Sequence, residues 1–89
     1  MEQGPPGTNN GYRLFVGNMG SRMTEAELRA MVEPFGPVLR IHVVRDGFTG
    51  LSCGHAFVEM TEGATAARAV SELNGKRIDG HFLVVRPLF

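Results

Sequence analysis

Two short segments of the chain, residues 14–19 and 53–60, alternate between aliphatic and other side chains in the manner of half-buried β-strands. In each segment the aliphatic residues share one face, and an aromatic residue, Phe15 or Phe57, lies on the other. A hydrophobic core accounts only for the aliphatic face. Aromatic rings on an open sheet face are typical of proteins that stack unpaired bases. The two segments therefore predict a sheet with one covered face and one open face.

Helical signals separate these strands along the chain. Thr24, followed by Glu27 three residues later, predicts a capping box at the start of a first helix, which Gly36 and Pro37 would end. An alanine-rich segment over residues 64–73 predicts a second helix suited to close packing on a sheet. The strands are predicted over residues 12–18, 38–45, 55–60 and 81–87, with a loop over residues 46–52 and a short connection over residues 76–80.

The resulting order is β-α-β-β-α-β, which predicts an α+β, ferredoxin-like fold. Right-handed crossovers place both helices on one face of a four-stranded antiparallel sheet and leave the other face open. With the strands ordered fourth, first, third and second, Phe15 and Phe57 would lie side by side in the middle of the open face. Residues 1–11, rich in Gly, Pro and Asn, predict a flexible tail, and residues 12–89 predict a single folded domain.

The charge balance limits how such a face can bind. Nine basic and nine acidic residues give a formal net charge of zero, whereas a nucleic-acid binder that depends mainly on charge is strongly basic. Any binding of nucleic acid must therefore depend on stacking and on where individual charges lie.

Cysteine content and hydropathy bear on location. The one cysteine, Cys53, permits no internal disulfide and fits a reducing compartment. No apolar run has the length of a membrane span, and the first residues lack the pattern of a secretion signal. We therefore expect an intracellular protein without a membrane partner, in the cytoplasm first and in the nucleus as the alternative.

Two motifs carry a resemblance to a known family. Residues 14–19, Leu-Phe-Val-Gly-Asn-Met, resemble the aliphatic-aromatic-aliphatic-x-Asn-Leu hexamer of the RNA recognition motif. Residues 53–60, Cys-Gly-His-Ala-Phe-Val-Glu-Met, resemble its octamer, Lys/Arg-Gly-Phe/Tyr-Gly/Ala-Phe/Tyr-Val-x-Phe/Tyr. Both motifs at this spacing extend the resemblance over residues 12–88. It implies that single-stranded RNA binds across the open face, with single-stranded DNA as an alternative ligand.

The resemblance also implies roles for individual residues. Phe15 and Phe57 would stack bases, and His55, at the third aromatic position, would insert between neighbouring sugars. Two departures weaken this platform. Cys53 stands where the family has a Lys or Arg that holds a phosphate, and His55 stands where it has Phe or Tyr.

Charged and polar residues are expected beside the rings. Glu59 either accepts hydrogen bonds from base amino groups or lowers the affinity for phosphate. The predicted RNA contacts of the open face, besides the three rings, are Arg13, Arg40, Arg86, His42 and Glu59.

Catalytic and metal sites are not expected. The histidines have neither a fourth ligand nor Cys-x-x-Cys spacing, so we predict no metal and no cofactor. The sequence holds no triad, carboxylate pair or phosphate-binding glycine loop. These features favour a binding protein over an enzyme, and we expect a monomer.

Two alternatives stay open. A segment near the C-terminus, or a partner, would cover the aromatic face if the rings are structural. A protein-interaction module that kept the fold and lost RNA binding would explain the neutral charge and Cys53. Relatives of this kind bind peptides through an Arg-x-Phe motif after the second helix, where this chain has Lys76-Arg77-Ile78 and no aromatic residue.

Overall fold

A computed structural model of the protein describes residues 11–89. The predicted flexible tail therefore lies outside the described residues, except for Gly11, which is buried. A 3-10 turn over Glu33–Phe35 follows the first helix. The strands and helices are β1 (Tyr12–Gly17), α1 (Glu25–Val32), β2 (Val38–Arg45), β3 (Ser52–Met60), α2 (Gly63–Leu73), β4 (Arg77–Ile78), β5 (His81–Phe82) and β6 (Val84–Pro87).

Local sequence signals fix both ends of α1. The Thr24 hydroxyl accepts a hydrogen bond from the Glu27 backbone N–H, and the Glu27 carboxylate accepts one from the Thr24 backbone N–H, each at 3.1 Å. The predicted capping box is confirmed. Pro34 then falls in the 3-10 turn, and Gly36 follows it before β2 begins.

The main sheet has four strands in the order β2-β3-β1-β6, all antiparallel. The predicted placement of Phe15 beside Phe57 was conditional on this order, and the α+β fold with two helices is confirmed. Phe15 lies opposite Phe57 on β3 and opposite Arg86 on β6. The central strands β1 and β3 therefore bring the two motif segments together.

One face of the sheet packs on the helices. Leu28 and Val32 of α1 and Ala66 and Ala69 of α2 are fully buried against it. The sheet contributes every second residue of its strands to this core, namely Leu14, Val16, Val43, Ala56, Val58, Met60 and Val85. Because side chains alternate along a strand, the residues between them lie on the opposite face.

Two predicted strand boundaries were wrong. β3 begins at Ser52 rather than at residue 55, because Ser52 pairs with Arg45 and extends the ladder to β2. The single strand predicted over residues 81–87 is divided. Its first two residues form a separate hairpin with β4, and β6 begins only after Leu83. Leu83 bonds through its backbone to Gly75 and Lys76 instead.

The loop between β2 and β3 is held by its own hydrogen bonds. The Asp46 carboxylate accepts from the hydroxyl and the backbone N–H of Thr49 at 3.0 and 3.4 Å. These hydrogen bonds hold the pKa of the Asp46 carboxyl below its ordinary value, and the bond from the Thr49 hydroxyl contributes most. The loop therefore has a defined conformation although its residues are exposed.

Arg45 connects this loop to the start of α1. Its guanidinium donates to the Glu25 carboxylate at 2.6 Å and to the Gly50 carbonyl at 3.3 Å. The backbone N–H of Glu25, and next the Arg45 guanidinium, lower the pKa of the Glu25 carboxyl. Arg45 is thus engaged on the helical side of the molecule.

Within residues 11–89, neither helix is long and apolar enough to cross a membrane.

Candidate nucleic-acid interface

We use the term open face for the sheet surface opposite the helices. Three rings lie together at its centre. The ring centroids of Phe15 and Phe57 are 6.0 Å apart with an interplanar angle of 61°, and those of Phe15 and His55 are 6.1 Å apart at 32°. All three side chains are half-buried. β1 and β3 thus bring the three predicted stacking residues into one continuous aromatic surface.

Gly17 supports the ring of Phe15. A β-carbon added at Gly17 would lie 2.8 Å from Cε2 and 3.0 Å from Cζ of that ring. Such separations are well inside van der Waals contact. The ring of Phe15 therefore lies over its own strand, in space that only a glycine leaves free.

A cluster of charges lies beside the rings, which we call the Arg13–Glu59–Arg40 cluster. Glu59 is paired in register with Arg13 on β1 and with Arg40 on β2. Its carboxylate lies 2.8 Å from Arg40 Nε and 3.5 Å from Arg13 Nε. The cluster carries three formal charges with a net value of plus one, so the charges of two predicted RNA contacts are partly neutralised.

Arg13 also covers part of the aromatic surface. Its guanidinium carbon lies 5.1 Å from the centroid of the Phe57 ring, within the range of a cation–π contact. The contact fixes Arg13 beside the ring, and 32% of its side chain is exposed. Arg40, with 63% of its side chain exposed, is the more accessible cation of the cluster.

Arg86 and His42 flank the rings on the two outer strands. Arg86 lies opposite Phe15, and His42 lies opposite Phe57. Both are exposed. Arg86 forms no ion pair with any carboxylate of residues 11–89. Among the three arginines predicted for the site, it is therefore the one that is not paired with a carboxylate of the described residues.

A groove of about 450 Å³ opens at one end of the aromatic surface. Its lining includes Phe15, His55, Cys53 and His81. His81 was not predicted at the site. It reaches the groove because the hairpin of β4 and β5 lies against the loop after β1, which long-range packing decides.

Two exposed aromatic residues were also not among the RNA contacts predicted from the sequence. Phe48, in the loop between β2 and β3, is fully exposed, and Phe82 of β5 is 59% exposed. The guanidinium carbon of Arg77 lies 5.8 Å from the centroid of the Phe82 ring. The signal for Phe48 was its place inside the turn sequence Asp-Gly-Phe-Thr-Gly, where no strand or helix pattern assigns it to a core.

The last residue, Phe89, packs away from the open face. Its ring meets Tyr12 edge to face with centroids 5.2 Å apart. Tyr12 in turn packs against the core and lies close to Gly63 at the start of α2. Residues 87–89 therefore leave Phe15 and Phe57 accessible.

Metal-binding chemistry finds no support in the part of the chain that the structure describes. Over residues 11–89, no three side chains of His, Cys, Asp or Glu are grouped closely enough to hold a metal ion. Cys53 is exposed and unpaired in the same range.

Two relatives of known sequence are RNA-binding proteins by name. The chain is 42% identical over 72 residues to "Putative RNA-binding protein RbpD" of Nostoc sp., covering 81% of this chain and 77% of that one. It is 36% identical over 74 residues to "Probable RNA-binding protein 23" of Homo sapiens, covering 83% of this chain. It spans only 17% of the length of that human protein.

Solved structures share the fold. The chain in the Sex-lethal protein–RNA complex is 35% identical to this one, with a TM-score of 0.80, over 84% of this chain and 45% of that one. The family model for the RNA recognition motif matches residues 14–84, which include both motif segments, most of the open face and most of the core. The chain therefore belongs to the RNA recognition motif family.

Proposed function

We propose that this protein binds short single-stranded RNA across the open face. The observation that carries the proposal is the continuous aromatic surface of Phe15, Phe57 and His55 on the central strands. Family membership supports RNA binding in general, and the proposal assigns it to this surface. Single-stranded DNA offers the same bases and is a second ligand to compare.

Each residue has a stated part in the proposal. Phe15 and Phe57 stack one base each, and His55 contacts the sugar between them. Arg13, Arg86 and, once it turns from Glu59, Arg40 supply positive charge to the bound strand. His42 and Glu59 contact its edges. A surface of two or three platforms holds roughly two to four nucleotides.

We further propose that residues 12–89 form one monomeric binding domain with no catalytic activity or cofactor. The single cysteine fits an intracellular, reducing environment.

Backbone NMR during titration with a short single-stranded RNA tests the proposal. We expect shifts at Phe15, His55, Phe57 and Arg86, and none on the outer faces of α1 and α2. Phe57→Ala should weaken binding, whereas Phe89→Ala, which removes the same side chain on the helical side, should not. Shifts confined to the helices, or none at high RNA concentration, would overturn it.

A second candidate is a protein-interaction module that does not bind RNA. The pairing of Arg13 and Arg40 with Glu59 favours it, because it leaves few free cations on the open face. RNA affinity falls as salt rises, since bound cations are released. An apolar protein partner would bind with little dependence on salt, and it would shift resonances outside the aromatic surface.

A further inference from the structure

Glu59 has an incompletely bonded carboxylate on the open face, beside the three rings. Its side chain is only 12% exposed, and both neighbouring arginines reach it through Nε. Neither contact has hydrogen-bond geometry, so Glu59 Oε1 and Arg13 Nε are buried without a hydrogen-bond partner among residues 11–89. Buried polar atoms in folded proteins are nearly always hydrogen-bonded. The cluster is therefore held by charge alone, and part of its hydrogen-bonding capacity is unused.

The position of the cluster shows which part of a ligand it would meet. Residues 55, 57 and 59 of β3 project from the same face, so Glu59 follows Phe57 at about 7 Å along the strand. His55 lies at the same spacing on the other side. A base stacked on Phe57, with its sugar toward His55, therefore extends its hydrogen-bonding edge toward Glu59 and Arg13.

Arg40 is the movable member of the cluster. It lies 2.8 Å from Glu59 Oε1, yet 63% of its side chain is exposed. It can turn outward without leaving a packed position, whereas Arg13 is held against the Phe57 ring. A ligand can thus uncover Oε1 by displacing one solvated side chain.

The donor pattern of the bases selects among ligands. Guanine carries two adjacent donors, N1–H and the N2 amino group, that match the two oxygens of a carboxylate, and its O6 accepts from a guanidinium. Adenine and cytosine offer one amino group beside an acceptor nitrogen. That nitrogen would face a carboxylate oxygen, and the two acceptors repel each other. Uracil offers one N–H between two carbonyl oxygens. Guanine alone fits both the anion and the cation of the cluster.

We propose that the Arg13–Glu59–Arg40 cluster selects guanine for the nucleotide stacked on Phe57. The inference rests on the proposed function, because it needs a base on that ring. It adds a base preference at one position to a surface that stacking alone would leave tolerant of sequence.

Affinities for seven-residue RNAs of uridine, with one guanosine moved through each position, test the selection. At the preferred position, a strand with guanosine should bind at least about fivefold tighter than one with adenosine, cytidine or uridine. This factor is the lower end of the range for a bidentate contact, because Arg40 must move. Inosine, which lacks the N2 amino group, should lose most of this gain.

Glu59→Gln separates the cluster from the stacking surface. The neutral amide matches the two donors poorly, so the guanosine preference should fall below about twofold. Affinity for the all-uridine strand should rise, because Arg13 and Arg40 lose the carboxylate that partly neutralises them. Glu72→Gln makes the same charge change at an exposed site on α2 and should keep the preference.

Two results would overturn the selection: RNA binding with no preferred guanosine position, or a preference that survives in a folded Glu59→Gln protein. These differ from failure of the proposed function, in which no strand binds or the NMR shifts map to the helices, which would overturn both.

Discussion

The two faces of β3 share one backbone but differ in residue type and in burial. Val58 is fully buried against the helices, while its neighbour Phe57 is half-buried on the open face beside Phe15. The inner face consists of aliphatic residues that fill the core, and the outer face mixes rings with paired charges. Apolar area on the inner side is buried by folding itself, whereas the outer rings gain further burial only from a ligand. Substitutions on alternate residues should therefore separate stability from binding.

The largest expected effect is on the inner face. Leu14→Ala removes a fully buried side chain next in sequence to Phe15, and it should lower the free energy of unfolding by about 2–5 kcal/mol. Urea denaturation measures this loss. RNA affinity of the protein that remains folded should be unchanged within error. A loss below about 1 kcal/mol would show that the core is not closed over this side chain.

Phe57→Ala gives the complementary result on the outer face. Loss of one stacked base should weaken RNA binding by about 1–3 kcal/mol, measured by fluorescence anisotropy. Phe57→Ala should lower the free energy of unfolding by less than Leu14→Ala does. Arg45→Ala is the matched control, because Arg45 is engaged by Glu25 and Gly50. Equal losses of affinity in both variants would mean that charge, not stacking, dominates.

Salt dependence measures how many cations of the outer face act on RNA. Arg86 and the net charge of the Arg13–Glu59–Arg40 cluster amount to two neutralised phosphates. The slope of log K against log salt should then be about −1.4, or about a sevenfold loss of affinity between 50 and 200 mM. Glu59→Gln should steepen the slope. A slope near zero would favour the protein-interaction module instead.

The smallest effect concerns the loop that joins β2 to β3. Thr49 lowers the pKa of Asp46 from its ordinary value of 3.8, so the ionised carboxylate is the form that the fold favours. Its contribution is present above that value and is lost as pH falls through the lower pKa of the folded state. Thr49→Val should return the pKa toward 3.8, measured by NMR titration. An unchanged pKa would assign the shift to backbone groups alone.

Features encoded by neighbouring residues could be predicted from the sequence. Thr24 and Glu27 form their capping box within one turn, and the alternation around Phe15 and Phe57 requires only a strand. The side-by-side placement of these rings was predicted only for one strand order, which the structure has. The roles of the rings in binding stay predictions.

Features that depend on register could not be predicted. Glu59 meets both Arg13 and Arg40 because β2 has an irregularity between Val38 and Arg40, which shifts its pairing with β3. A second irregularity lies between Val43 and Arg45. No local sequence pattern indicates such shifts, because the alternation of residue types along the strand does not show where a bulge lies.

The close approach of the Phe15 ring to Gly17 has a consequence for how this surface can vary. Its φ is not among the positive values found over residues 11–89, so the backbone would accept an alanine. The ring of Phe15 would not, because the added methyl group would lie 2.8 Å from it. Substitution should therefore tilt the ring rather than unfold the strand. A variant at this position would stay folded with a displaced Phe15 ring, and screens that score only expression or solubility would pass it as neutral.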